Sequence, residues 1–215
     1  RLGFNAQAVL TLQYLMLALV LLTLLTFFAP FALKRWLGRG SGFWRGSVYF
    51  TAIGLSFMLV EVAWLGRFVL YLGHPSYATT VTLGAMLLGA GLGSMASTRL
   101  GVERWRRVGL LTALLVVVLN AGFAGIFAAS IGWAWPLRVL VAVLLLTPPA
   151  FTMGMFFPLG MVRFGDPSKA WFWALNGAAG VLASVLSLAL AMHWGFSAVA
   201  YLGAAGYVIA WAALR

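Results

Sequence analysis

Residues 108–131 contain no charged side chain and only three polar ones, Thr112, Asn120 and Ser130. A bilayer core about 30 Å thick takes roughly 20 mostly apolar residues as a helix, so such a run has few other destinations. It recurs along the chain. With charges and breakers taken as ends, seven spans are expected, at about 9–33, 47–70, 76–98, 108–131, 137–162, 171–192 and 196–214. The joints between them are short, so a single transmembrane domain over 1–215 is expected, with no soluble domain. The apolar runs are continuous rather than alternating, which argues against a β-barrel. The expected fold is an all-α, polytopic membrane helix bundle.

Composition supports this. Of 215 residues 64% are hydrophobic and 8% charged, whereas a soluble domain is about 25% charged. Lys and Arg number 14 against 3 Asp and Glu, a net charge of +11. Lys34, Arg35, Arg39, Arg45, Arg99, Arg104, Arg106, Arg107, Arg163, Lys169 and Arg215 fall at one end of the expected spans. Only Arg1, Arg67 and Arg138 fall at the other. Positive loops stay inside, which predicts a multi-pass protein of the inner (cytoplasmic) membrane with the N-terminus outside and the C-terminus cytoplasmic. The cations sit in interspan loops beside Trp36, Trp44 and Trp105, so they attract lipid headgroups and no nucleic-acid partner is expected.

Helices in lipid associate through small residues that let backbones approach. Ala85, Gly89, Gly93 and Ser97 make one such row. Ala121 and Gly125 make another, and Gly180 and Ser184 a third. The fifth span is expected to kink or break at Pro148-Pro149, with Gly154 and Pro158 following. Broken helices line substrate sites in transporters, and a purely structural kink is the other reading.

Glu61 is the one acid expected inside a span. A carboxylate in hydrocarbon must be paired, protonated or turned to a wet cavity. Phe57, Met58, Trp64 and Leu65 occupy its own helix one turn away. Arg67 lies about 9 Å further along the axis, on another face. Asn176, Asn120 and His74 are candidate partners, so Glu61, Arg67, His74 and Asn176 form the candidate intramembrane polar site.

No catalytic site is expected within the chain: there is no carboxylate pair in the spans and no acid beside either histidine. No metal site is expected, since the chain has no cysteine and no paired histidines. No cofactor is expected, although His74 or His193 alone has the chemistry to ligate haem or chlorophyll.

Several segments resemble, in order, the C-terminal membrane region of bacterial spermidine-synthase-like integral membrane proteins. They are Phe57-Met58-Leu59-Val60-Glu61-Val62-Ala63, Leu72-Gly73-His74-Pro75-Ser76-Tyr77-Ala78, Gly91-Leu92-Gly93-Ser94, Met153-Gly154-Met155-Phe156-Phe157-Pro158-Leu159-Gly160 and Trp173-Ala174-Leu175-Asn176-Gly177-Ala178-Ala179. The chain departs from the family pattern at Gly66, Phe156 and Ala174. The resemblance implies an upstream soluble aminopropyltransferase-like domain preceding Arg1, and a membrane module that anchors it and binds a small amine near Glu61. Two other functions fit the residues: a structural subunit docking on other membrane subunits, or a transporter-like protein for small cationic or amphipathic substrates.

Overall fold

The computed structural model describes residues 41–99, 102–166 and 168–214 and scattered positions between 7 and 21, without the side chains of Ser41 and of 102–106. Among the described residues five long helices follow one another: α1 Ser41–Leu72, α2 Pro75–Ser97, α3 Val102–Ser130, α4 Trp135–Phe164 and α5 Lys169–Ala213. All five are long and apolar enough to cross a membrane. No strand occurs among the described residues. An all-helical bundle of this kind is compatible with a multi-pass membrane protein.

Local chemistry sets the turn from α1 to α2. Gly73 ends α1 at φ +81, a left-handed conformation that glycine adopts without a Cβ penalty. His74 follows in extended backbone, φ −140 and ψ 124, as the residue before a proline prefers. Pro75 then opens α2, and Pro136 sits in the first turn of α4. Both occupy positions where a missing N–H costs nothing.

Two expectations need correction. Among the described residues there are five such helices, and a count of seven is not supported. The expected span 9–33 lies outside the described residues, apart from scattered positions. The last two expected spans join into one element, α5, with non-helical dihedrals only at Gly195, φ 79 and ψ 161. The expected break in the fifth span is also absent, because α4 runs as one helix through Pro148, Pro149 and Pro158. Proline removes a donor, but its fixed φ is itself helical, so a chain packed on its neighbours stays helical. Thr147 and Thr152 add hydroxyl bonds to the Val143 and Pro149 carbonyls there, at 2.7 and 2.9 Å.

The discontinuity at Gly195 reverses the chain. Near the start of α5, Trp171 Nε1 donates to Ser47 Oγ at 3.1 Å. At its end, Arg45 Nε donates to the Ala213 carbonyl at 3.2 Å. Between them, Phe196 lies against Gly66, while Gly203 lies against Val60 and Ser56. Both ends of α5 therefore flank the start of α1, and its middle flanks the end of α1. The first arm, 169–194, runs parallel to α1, and the second, 196–213, returns antiparallel. At 1.5 Å per residue the arms are about 39 and 27 Å long.

A second close pair is α2 with α4. A Cβ on Gly93 would fall on the Phe151 carbonyl, and one on Gly154 on the Ala90 carbonyl. A Cβ on Gly89 would come within 2.9 Å of the Thr147 carbonyl oxygen. Ala85, Gly89, Gly93 and Ser97 are all buried in this seam. Without side chains between them, the two backbones gain dispersion contact that lipid cannot match.

α3 behaves differently. Its row Ala121 and Gly125 is exposed, and a Cβ on Gly125 would meet open space. The helix turns its bulky face inward instead. Phe123 and Phe127 stack at 5.3 Å, and Tyr71 of α1 stacks on Phe127 at 4.2 Å. Aromatic stacking is worth about 0.5–1.5 kcal/mol per pair beyond contact area. That gain fixes which face points in.

The described cations separate by end. Arg45, Arg99, Arg107, Arg163 and Lys169 lie at the end where α1 begins and α2 finishes, here the basic end. Arg67 and Arg138 lie towards the other, the far end.

Candidate functional site

The α1/α5 and α2/α4 pairs leave a gap, because α4 and α5 scarcely touch. The gap is a cleft of about 670 Å³. Phe57 and Met58 of α1 form its floor. Ala90 and Ser94 of α2, with Gly154 and Phe157 of α4, form one wall, and Trp173 and Asn176 of α5 form the other. Phe157 and Trp173 meet edge to face at 4.6 Å across the two walls. Gly54 lets α5 approach: a Cβ there would strike the Asn176 carbonyl and lie 3.1 Å from its Oδ1.

The polar groups are few. Ser184 Oγ is spent on the Val181 carbonyl at 2.7 Å. Tyr207, from the returning arm of α5, lines the cleft and is 1% exposed. Its ring packs on Phe156 at 4.9 Å. Its hydroxyl has no hydrogen-bond partner among the described residues, whereas the neighbouring Tyr49 donates to the Phe156 carbonyl at 2.7 Å. A buried phenol usually finds a partner, so an unpaired one at a cleft wall is a ready contact for a ligand.

Glu61 does not line the cleft. It lies one helical turn past Phe57 on α1, 6% exposed, and within electrostatic range of Tyr207. Among the described residues its carboxylate has no ion pair, the one ion pair being Lys169 with Asp166 at 2.9 Å on the surface. Tyr207 thus both lines the cleft and lies within electrostatic range of the acid.

The other expected site residues go elsewhere. Arg67 donates from Nη1 to Asn120 and to Ser197 Oγ, and its guanidinium lies 5.3 Å over the Phe123 ring. Asn120 in turn donates to the Ser197 carbonyl at 3.2 Å. This node ties α1 and α3 to the chain just past Gly195, and it uses Asn120, a candidate partner of Glu61, for another purpose. His74 lies at the far end, 5.1 Å from the Tyr77 ring. His193 bonds its own helix through Nδ1 to the Ala189 carbonyl at 2.8 Å. Of the four polar-site residues, only Asn176 borders the cleft.

Of the expected helix-break residues, Gly154 lines the cleft, while Pro148, Pro149 and Pro158 do not. Of the packing rows, Gly180 and Ser184 border the cleft, and Gly180 faces Met58 Cγ at 3.5 Å. Among the described residues there is no group of three metal-ligating side chains. Sequence reasoning missed Tyr207 and Trp173. Tyr207 had one legible signal: it follows Gly203 and Gly206, whose missing side chains let its arm press against Val60 and Ser56.

The chain matches no protein family, no curated protein and no solved structure.

Proposed function

We propose that this chain is a multi-pass membrane protein whose cleft binds a small amphipathic organic cation. The observation that carries the reading is Tyr207, which lines the cleft with no hydrogen bond from its hydroxyl among the described residues and lies within electrostatic range of the buried Glu61. Around it Phe57, Phe156, Phe157 and Trp173 present ring faces and edges. A desolvated cation over an aromatic face gains about 2 kcal/mol, and Asn176 offers an oxygen to the same ligand. On the ordered motifs alone we also propose kinship with the membrane region of spermidine-synthase-like proteins, for which an amine ligand would be natural. By the positive-inside rule, the basic end and the C-terminus face the cytoplasm of the inner membrane.

A second reading has its own support. The exposed Ala121–Gly125 row of α3 is a flat surface suited to docking on another membrane subunit.

The test is a titration of the full chain in neutral lipid nanodiscs with spermidine, a short alkyl-trimethylammonium and a neutral isostere. Saturable binding of a cation but not of the isostere supports the reading. It should weaken about ten-fold in Tyr207→Phe and in Glu61→Gln. Equal binding of the isostere, or affinity unmoved by both variants, overturns it.

A further inference from the structure

The far end holds a second pocket, of about 580 Å³, bounded by Leu72, Gly73, His74, Tyr77, Trp135 and Arg138. Three structural facts set its chemistry. First, α2 and α4 run in the same direction and start side by side there, with the Tyr77 and Trp135 rings 5.4 Å apart. Neither helix start has a side-chain cap. Second, the Arg138 guanidinium is fixed from one side only, by Nη1 donating to the Tyr71 carbonyl at 2.8 Å, and its Nε finds no partner. Third, no described acid balances it. Asp166 is at the basic end, and Glu61 lies ten residues before Tyr71 on α1, about 15 Å down the axis.

We propose that this pocket is an anion site for a phosphate group, with Arg138 supplying the charge, His74 a further polar contact, and Tyr77 and Trp135 flanking the apolar part of the ligand. The site is separate from the cleft and does not depend on its reading. An arginine fork held on one edge keeps its remaining donors in fixed geometry, which suits the tetrahedral oxygens of a phosphate. The uncapped helix starts add partial positive charge to the same pocket. Tyr and Trp at a bundle end mark headgroup depth, where phosphates are concentrated. The phosphate could belong to a lipid headgroup or to a soluble phosphate that enters from the far side.

The experiment is calorimetric titration of the full chain, in phosphate-free alkyl maltoside micelles, with inorganic phosphate and with dihexanoyl phosphatidylglycerol. Saturable binding of either probe is expected, weakened about ten-fold in Arg138→Gln and unchanged in Arg163→Gln at the other end. Tighter binding of the lipid makes a headgroup the ligand; tighter binding of inorganic phosphate makes it a soluble anion. Arg138→Gln also removes the donor to Tyr71. If that variant does not fold, His74→Ala and Tyr77→Ala, which leave this bond intact, must each weaken binding about three-fold or more. No saturable binding of either probe to the unaltered chain would overturn the site. So would affinities unmoved by the pocket variants that fold, and Arg138 would then be only a tether for the end of α1.

Discussion

The Arg67 guanidinium donates from Nη1 to both oxygens of Asn120, to the main-chain carbonyl at 3.0 Å and to Oδ1 at 2.8 Å. No carboxylate takes part. A half-buried cation is therefore satisfied by neutral acceptors on α3 and by Ser197, the second residue after the reversal at Gly195. The node fastens the turn of α5 to two helices that sequence places far away.

Asn120→Leu should accordingly destabilise the protein by about 1.5–3 kcal/mol, the usual cost of a lost hydrogen bond to a charged group. Arg67→Met combined with Asn120→Leu should cost less than the sum of the single changes, since no polar partner is then stranded. Thermal unfolding in a fixed detergent measures both. Strict additivity would show that the two side chains act independently.

The α2/α4 seam predicts a contrast between glycines on one helix. Gly93→Ala puts a methyl onto the Phe151 carbonyl, so the helices must part, at about 1–3 kcal/mol. Gly84→Ala meets nothing within 4 Å and should be neutral, or stabilising by about 0.5–1 kcal/mol through helix propensity. The same unfolding measurement compares them, and equal effects would refute the seam.

Gly195 predicts both strain and topology. Its dihedrals, φ 79 and ψ 161, lie where only glycine is at ease, so Gly195→Ala should cost about 1–3 kcal/mol. The chain has no cysteine, so single introduced thiols report cleanly. In sealed vesicles Lys169→Cys and Ala212→Cys should be labelled from the same side by an impermeant maleimide, and Trp194→Cys from the opposite side. Labelling of residues 169 and 212 from opposite sides would mean that α5 does not double back.

The cleft predicts a selective loss. Asn176→Leu replaces an amide at the wall with an apolar side chain of similar size and should leave unfolding within about 1 kcal/mol of the original. Cation binding should nonetheless weaken several-fold. Trp173→Ala removes the ring that meets Phe157 and should accelerate dissociation. Dissociation rates from stopped-flow fluorescence decide this, and unchanged rates would take Trp173 out of the site.

What the sequence by itself determined is the helical, lipid-compatible character of the chain. Apolar run length and the polarity of the joints are local properties, so α1 to α4 are legible as single runs, and Gly73 with Pro75 marks the turn between α1 and α2. Charge placement is local too, which is why Arg45, Arg99, Arg163 and Lys169 could be assigned to one end. What only the tertiary structure decided is which faces meet. Gly93 and Gly125 have the same chemistry, yet one is pressed against a carbonyl and the other opens outward, because the stacked rings of Phe123 and Phe127 compete for the inside of α3. Pro148 and Pro149 look like a break, yet α4 remains helical through them, while a single glycine at 195 turns the chain back. Glu61 and Tyr207 are 146 positions apart, and Arg67 and Asn120 are 53. Such pairings depend on the register in which separate helices dock, and no local pattern along the chain carries that information.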